Sequence, residues 1–189
     1  MRVTDVDADD ALVRRARAGD AEAFGVLIDR YKRRAYGQAL GLVGSREDAL
    51  DLSQEAFARA FAARRRLDPE RPFYAWLYEI LRRLCFNFLR DERARARLMR
   101  AHGAAWLVEV ARAGASDPAT EAERAEARRR VAAAIETLSP REREVLVLKE
   151  FEELRYREIA ALVGVPIGTV MSRLYTARQR LANALENTR

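Results

Sequence analysis

The chain has 189 residues, 49% of them hydrophobic and 34% charged, so it can bury a core and remain soluble. Its 35 Lys+Arg and 29 Asp+Glu give a formal net charge of +6, which suits a polyanionic partner without requiring one. One cysteine excludes an internal disulfide, and one cysteine with one histidine excludes a Cys/His zinc site. We therefore expect no metal, no cofactor, no catalytic residue and no enzymatic activity. The acidic start and the lack of a membrane-length apolar run predict a cytoplasmic protein without membrane insertion.

Helical periodicity predicts a first domain over residues 1–92. Gly19 and Asp20 mark a turn followed by a helix cap, and Ser45 with Asp48 marks the start of the next helix. Pro72 begins a fourth helix, which we expect to end near residue 90. Its predicted buried stripe is Phe73, Trp76, Leu77, Ile80, Leu81, Leu84 and Phe88.

An acidic DxDxDD run precedes these helices and resembles the opening of a calcium-binding loop. The pattern fails because Asp10 stands where the loop needs glycine, and Ala16 where it needs a bidentate glutamate. We therefore expect a solvated tail containing Asp5, Asp7, Asp9 and Asp10.

Residues 93–120 are rich in alanine and arginine and lack a sustained apolar stripe, which predicts a flexible linker with some helix. Within it, the apolar segment from Ala105 to Val110 is expected to cover a neighbouring core or a partner.

A second domain is predicted over residues 121–189 and begins with a charged helix over 121–138. Ser139-Pro140-Arg141-Glu142 is a capping box with proline at the first helical position. The helix that follows carries apolar residues at 145, 146, 148 and 151. YREIAALVG and IGTVMSRLYTARQRL then form two helices about a short turn, the pattern of a helix-turn-helix. The predicted fold is all-α, with two small helical domains and a C-terminal helix-turn-helix.

The last helix has two distinct faces. Ile167, Val170, Leu174, Ala177 and Leu181 are expected to pack inside the domain. The opposite face mixes short hydroxyl side chains with arginines that can reach phosphates or guanine edges, as DNA recognition requires. These outward residues are Thr169, Ser172, Arg173, Thr176 and Arg180.

A second basic cluster lies in and just after the fourth helix, with arginines at positions 82, 83, 90, 93, 95, 97 and 100. Aromatic residues interleave with the start of this cluster, and arginines beside ring faces suit single-stranded or melted nucleic acid. Trp76 and Phe88 are expected in the core, whereas Tyr74, Tyr78 and Phe86 could either pack or stack on bases. Two basic surfaces predict bipartite DNA recognition.

Three segments together resemble the two conserved blocks of bacterial sigma factors. They are REDALDLSQEAFARAF, PFYAWLYEILRRLCFNFLRDERAR and LSPREREVLVLKEFEELRYREIAALVGVPIGTVMSRLYTARQRL. Two blocks joined by a short linker are similar to the extracytoplasmic-function (ECF) subgroup, and the resemblance covers roughly residues 10–92 and 121–185.

The resemblance implies a promoter-specificity subunit that binds core RNA polymerase, at the clamp helices of the largest subunit and at the flap region. An anti-sigma factor is an expected further partner. Polymerase docking is carried over to Asp51, Gln54, Glu55 and Arg59, and −10 element recognition to Tyr78, Arg82, Arg83, Asn87 and Arg90. Recognition of the −35 element falls on Thr169, Ser172, Arg173 and Thr176, with Arg178 and Arg180 near phosphates.

The sequence departs from the family at several of these positions. Arg83 replaces a common asparagine, Met171 stands where lysine is usual, and Tyr175 and Thr176 replace common basic residues. These changes predict altered −10 and −35 preferences. The main alternative is a stand-alone helix-turn-helix regulator, which leaves the first block unexplained. A helical enzyme lacks a nucleophile–base set, and a scaffold would require the arginines to be paired with glutamates.

Overall fold

The computed structural model describes residues 6–101, 130–131 and 133–186, with side chains described for 9–94, 130–131 and 133–186. These residues form α-helices and contain no strand. The first four helices are α1 (Val6–Arg17), α2 (Ala21–Val43), α3 (Arg46–Ala62) and α4 (Phe73–Ala101), with a 3-10 turn at Arg64–Arg66. After helical residues at 130–131 and 133–136 come α5 (Pro140–Glu150), α6 (Tyr156–Val163) and α7 (Ile167–Glu186).

The predicted linker overlaps the fourth helix. Helix α4 continues to Ala101, beyond the end expected near residue 90, because alanine and arginine are good helix formers and no cap interrupts them. The rest of the predicted linker, including Ala105 to Val110, lies outside the described residues, as does most of the charged helix predicted over 121–138.

The helix caps predicted in the first domain are confirmed. Gly19 has φ 110°, and the Asp20 carboxylate accepts a hydrogen bond of 3.0 Å from the backbone N–H of Ala23. That hydrogen bond, together with Arg15, lowers the pKa of Asp20. Ser45 Oγ accepts from the backbone N–H of Asp48 at 3.3 Å. These contacts determine where α2 and α3 begin.

The core of the first domain is richer in tyrosine than expected. Tyr74 and Tyr78 are buried together with Phe73, and Trp76 is half-buried and packs against this core, as expected. Phe88 is only half-buried, so its assignment to the core is wrong. The Tyr74 ring stacks on Tyr31 with centroids 5.5 Å apart. The reason is that α4 is covered on two sides, by α2 and α3 and by the second domain, so its buried face is wider than one stripe.

The N-terminal acidic run is not simply a solvated tail. Asp9 lies within α1, is 3% exposed, and forms an ion pair with Arg30. It also accepts a hydrogen bond from the Tyr31 hydroxyl. The expectation of a solvated Asp9 is therefore wrong, because α1 packs on α2 and its carboxylate has partners there.

The second domain is organised around α5. The Ser139 capping box is confirmed, since Ser139 Oγ accepts from the N–H of Glu142 and the Glu142 carboxylate accepts from the N–H of Ser139. Gly164 ends α6 in the left-handed conformation, as predicted. Ile167, which was expected to pack inside the domain, is 42% exposed instead, because it lies at the first turn of α7, beyond the packed turns. Phe151, at the end of α5, is 76% exposed.

Helices α6 and α7 meet at a bend of 105° and form the helix-turn-helix. Over the residues with assigned structure, no single helix has the length and apolarity of a membrane span, and this bent pair meets the test only by length and composition.

Candidate nucleic-acid interface

The polar face of α3 is open to solvent. Asp51, Gln54, Glu55 and Arg59 are all exposed, whereas the opposite face buries Ala49, Ala56 and Ala60. Their spacing of three or four residues places the four polar side chains on one side of the helix. Arg59 Nε lies 2.6 Å from Glu55 Oε1, an exposed pair one turn apart. The structure thus brings the four predicted docking residues together on an exposed face of α3.

A groove runs beside this polar face, between α2 and α3. It has a volume of about 600 Å³ and an apolar floor, with Leu50 48% exposed and Phe61 37% exposed. The sequence analysis did not identify it, because its walls come from two helices that each show an ordinary core stripe. The lining residues are Ile28, Lys32, Arg33, Tyr36, Leu50, Ser53, Gln54, Phe57, Ala58 and Phe61.

The five residues assigned to the −10 element do not share one environment on α4. Arg83 and Arg90 are exposed, and Asn87 is half-buried. Arg82 is half-buried, with its guanidinium carbon 4.8 Å from the centroid of the Phe86 ring. Tyr78 is fully buried. In this arrangement Arg83, Asn87 and Arg90 are accessible to a ligand, whereas Tyr78 is not.

Tyr78 and Arg82 both contact the second domain through Glu144 of α5. The Tyr78 hydroxyl donates to Glu144 Oε1 at 2.8 Å, and Arg82 donates to both carboxylate oxygens, with Nη2 3.1 Å from Oε2. Burial and the Glu144 charge raise the pKa of Tyr78, and the hydrogen bond to Glu144 raises the pKa of Arg82. The contact neutralises one arginine of the basic cluster.

Helix α7 presents an outward face that differs in part from the predicted one. Ser172, Arg178 and Arg180 are exposed, and Thr169, Arg173 and Thr176 are half-buried. Arg178 pairs with Glu150 at 2.6 Å, and Arg180 pairs with Glu142 at 2.9 Å. These two arginines therefore lie along the edges of α7 that face α5.

Two exposed side chains on α7 belong to residues that the sequence analysis treated only as departures from a family. Met171 is 52% exposed and Tyr175 is 65% exposed. Gln179 is exposed, and its amide nitrogen donates to the Tyr175 hydroxyl at 2.8 Å. Counting from buried Val170, Leu174 and Ala177 at 100° per residue would have placed Tyr175 and Gln179 outward and Met171 at the side of the helix.

Among residues with described side chains, no group of three or more His, Cys, Asp or Glu residues could hold a metal ion. Cys85 is buried, and burial raises its pKa to about 12.

Two family matches cover the two domains. Residues 27–95 match Sigma-70 region 2, and residues 128–181 match Sigma-70, region 4. The chain is 32% identical over 183 residues to the RNA polymerase sigma-H factor of Pseudomonas aeruginosa, covering 95% of each. It is also 32% identical over 188 residues to the ECF RNA polymerase sigma-E factor of Escherichia coli K12, covering 94% of each.

Solved structures show the same arrangement of helices. CnrH, solved in complex with the cytosolic domain of CnrY, has a TM-score of 0.67 and 31% identity, over 96% of this chain and 99% of that chain. RpoE of Bartonella quintana, solved with the anti-sigma factor NepR, has a TM-score of 0.65 and 25% identity, over 88% of this chain and 98% of that chain. The two matched regions, their order and the near-complete coverage show that this chain belongs to the ECF sigma factors.

Proposed function

We propose that this sigma factor binds core RNA polymerase through the polar face of α3 and reads promoter DNA through α4 and α7. The observation that carries the proposal is the exposure of both the α3 polar face and the outer face of α7, in a chain that matches both sigma-70 regions. A stand-alone helix-turn-helix regulator would have no use for the first of these surfaces. As an initiation factor acting on polymerase, the protein works in the cytoplasm and performs no catalytic step of its own.

Polymerase docking falls to Asp51, Gln54, Glu55 and Arg59, with the clamp helices of the largest subunit as the partner. Exposed carboxylates and an amide offer hydrogen bonds to a basic helical partner, and the adjacent groove adds apolar area. The second domain, over residues 121–189, would contact the flap region. Such a two-point attachment raises the effective concentration of each domain at its DNA element.

Recognition of the −10 element falls to α4. Arg83 and Arg90 are accessible to backbone phosphates, and Asn87 lies between them and can bond a base edge. Arg82 and Tyr78 belong to the same surface by position, but both are engaged by Glu144 in this structure. Arg83 occupies a position where an asparagine is common in the family, so we propose that it contributes charge rather than base readout.

Recognition of the −35 element falls to α7 in the major groove. The base-facing residues are proposed to include Ser172, Met171, Tyr175 and Thr176, because the first three are exposed and Thr176 lies beside them. Arg173, Arg178 and Arg180 flank these residues and can bond phosphates, the last two after exchanging their present partners Glu150 and Glu142. A methionine and an aromatic ring favour contact with thymine methyl groups over bonding to guanine.

An anti-sigma factor is the remaining proposed partner. CnrH and RpoE are each solved with a second protein, the cytosolic domain of CnrY and the anti-sigma factor NepR. The apolar groove between α2 and α3 offers such a partner a site that overlaps Gln54, so its binding would compete with polymerase.

The test is run-off transcription with purified core polymerase on a pooled genomic template, with and without this protein. New start sites that share two upstream motifs are expected. The absence of new starts, together with specific duplex binding in the absence of polymerase, would instead identify a stand-alone regulator.

A further inference from the structure

Buried polar side chains without hydrogen-bond partners lie where α2, α4 and α5 meet. Gln38 of α2 is 1% exposed, and within the described part of the chain neither its amide oxygen nor its amide nitrogen has a hydrogen-bond partner. The hydroxyl of Tyr74 on α4, also 1% exposed, has no partner among these residues either. Buried polar atoms in folded proteins are nearly always hydrogen-bonded, to protein or to ordered water. These atoms therefore need a partner.

Arg34 of α2 supplies further unpaired donors at the same place. Its Nε donates to Glu152 in the loop that follows α5, but Nη1 and Nη2 are buried and reach no acceptor among the described residues. The guanidinium carbon lies 3.8 Å from the centroid of the Tyr74 ring. Burial raises the pKa of the Tyr74 hydroxyl, and the nearby positive charge of Arg34 partly opposes this shift. Arg34 and the Tyr74 hydroxyl thus share one small region.

Helical spacing places Gln38 beside them. Gln38 follows Arg34 by four residues, so the two lie one turn apart on the same side of α2. Two turns before Gln38, Tyr31 stacks on Tyr74 with centroids 5.5 Å apart. Three residues after Gln38, Gly41 faces α5. The side of α2 that carries Gln38 is therefore covered by both α4 and α5.

Charge and hydrogen-bonding capacity at this junction identify the class of ligand. Glu152 already offsets the charge of Arg34, so there is no excess charge to attract an anion. A metal ion lacks ligands, since the described side chains contain no group of three or more His, Cys, Asp or Glu residues suited to one. An apolar ligand would leave the same atoms unpaired. Water both donates and accepts, which a guanidinium, an amide and a hydroxyl together require.

We propose that bound water occupies this junction and bridges the Arg34 guanidinium to the Gln38 amide and the Tyr74 hydroxyl. Folded proteins hold about one buried water per 27 residues, each typically making about three hydrogen bonds to buried polar groups. Such water joins α2 to α4 inside the core and satisfies a glutamine at a position that solvent does not reach. The three residues belong to none of the docking or DNA-reading surfaces proposed above.

Oxygen-17 magnetic relaxation dispersion of the full chain tests the proposal, because it detects the oxygen of long-lived water and not exchanging protein protons. Gln38→Met keeps the length of the side chain but removes both amide contacts, so the dispersion amplitude should be lower than in wild type. Gln54→Met is the matched control, because it makes the same substitution at an exposed helical position that bulk water reaches, and it should leave the amplitude unchanged. Equal amplitudes in wild type and Gln38→Met would overturn the proposal.

Urea unfolding gives an independent readout, in which the direction of the change separates a hydrated junction from a dry one. With water bound, Gln38→Met and Tyr74→Phe each remove contacts of that water, so each should lower the urea midpoint. The double variant should lose less than the sum of the two, because both substitutions act through the same water. In a dry junction each substitution would instead replace an unpaired polar atom by an apolar group, which is neutral or stabilising. Midpoints that stay the same or rise would therefore contradict bound water.

Tyr36→Phe is the matched control for Tyr74→Phe. Its ring is half-buried and lines the open groove between α2 and α3, so bulk water can reach its hydroxyl, and the midpoint should change little. A crystal structure of the wild-type chain then shows the geometry directly. A water oxygen is expected about 2.7–3.2 Å from the Gln38 amide. A direct hydrogen bond from that amide to a protein atom, with no water beside it, would refute the site.

Discussion

Gly41 and Val147 are in direct contact across the domain boundary, with the backbone of α2 against the side chain of α5. A Cβ at position 41 would approach Val147 Cγ2 to 2.6 Å and Val147 Cγ1 to 2.9 Å. The contact joins two helices that are far apart in the sequence. The position of α5 is therefore sensitive to a single methyl group on α2.

Gly41→Ala should weaken the domain boundary. The added methyl overpacks the contact, which typically costs about 1–3 kcal/mol. Urea unfolding should show the loss as a lower midpoint, and Val147→Ala in the same chain should restore it by making room. Gly37→Ala is the matched control, because a Cβ there meets nothing within 4 Å, and alanine is favoured over glycine in a helix by about 0.5–1 kcal/mol. Equal effects of the two substitutions would exclude the contact as the cause.

Reversing the charge at Glu55 should abolish polymerase binding. Glu55→Lys places a cation in the proposed docking surface and removes an exposed pair with Arg59, which contributes at most about 0.5 kcal/mol to folding. The fold should therefore persist while affinity for core polymerase falls sharply, as measured by fluorescence anisotropy. Glu70→Lys makes the same charge change at an exposed loop position away from α3 and should bind normally. Normal binding by the Glu55 variant would remove it from the docking surface.

Contact of Met171 with a thymine methyl should be detectable by removing either group. Replacing the contacted thymine of the −35 element by uracil deletes one methyl, worth about 0.8 kcal/mol of apolar burial, or roughly fourfold in affinity. Met171→Ala should lower affinity for the thymine duplex and abolish the difference between thymine and uracil. Electrophoretic mobility shifts measure both effects, with uracil outside the element as control. A thymine–uracil difference that persists in the variant would assign the methyl contact to another residue.

Stability should fall in alkaline solution from about pH 9 upward. Burial raises the pKa of Cys85 to about 12 from 9.0, so the unfolded chain releases a proton over this range that the folded chain keeps. Tyr74 and Tyr78 act in the same direction above pH 10, because burial raises the pKa of each hydroxyl. Fewer protons bound in the unfolded state means that stability decreases as pH rises.

Cys85→Ala isolates the contribution of the thiol. When the pH is raised from about 8 to about 10, the thermal midpoint of the variant should decrease by less than the midpoint of wild type does. The reason is that the variant lacks the thiol proton that wild type releases on unfolding. The folded thiol should also react slowly with iodoacetamide at neutral pH and rapidly after unfolding. Fast alkylation of the folded protein would contradict the burial of Cys85.

Local features were the most predictable part of this protein. The caps at Asp20, Ser45 and Ser139 and the end of α6 at Gly164 were all readable, because each depends on side-chain and backbone groups within a few residues. The buried residues of a helix could be predicted from its apolar stripe where the helix packs on one side only. The stripe failed for Phe88 on α4 and for Ile167 on α7, which lie near the ends of their packed segments.

Residue roles were less predictable where the packing of one helix against two neighbours decides exposure. On α7, the side-chain type of Arg173 predicted a DNA contact, but Arg173 is half-buried in the structure. Met171 and Tyr175, which the prediction left out, are exposed. On α4, Tyr78 is a reasonable base-stacking residue by type, but the second domain covers it.

Capping signals, helical periodicity and the two conserved blocks are contained in the sequence itself, and they determined the all-α class, the helix-turn-helix and the membership in the ECF sigma factors. The tertiary structure alone decided that Asp9 and Glu144 are buried, that Gly41 must lack a side chain and that Arg82 is engaged. The physical reason is distance along the chain. Glu144 meets Tyr78 across 66 positions and Arg82 across 62, and no local pattern records which remote side chain will neutralise a buried charge.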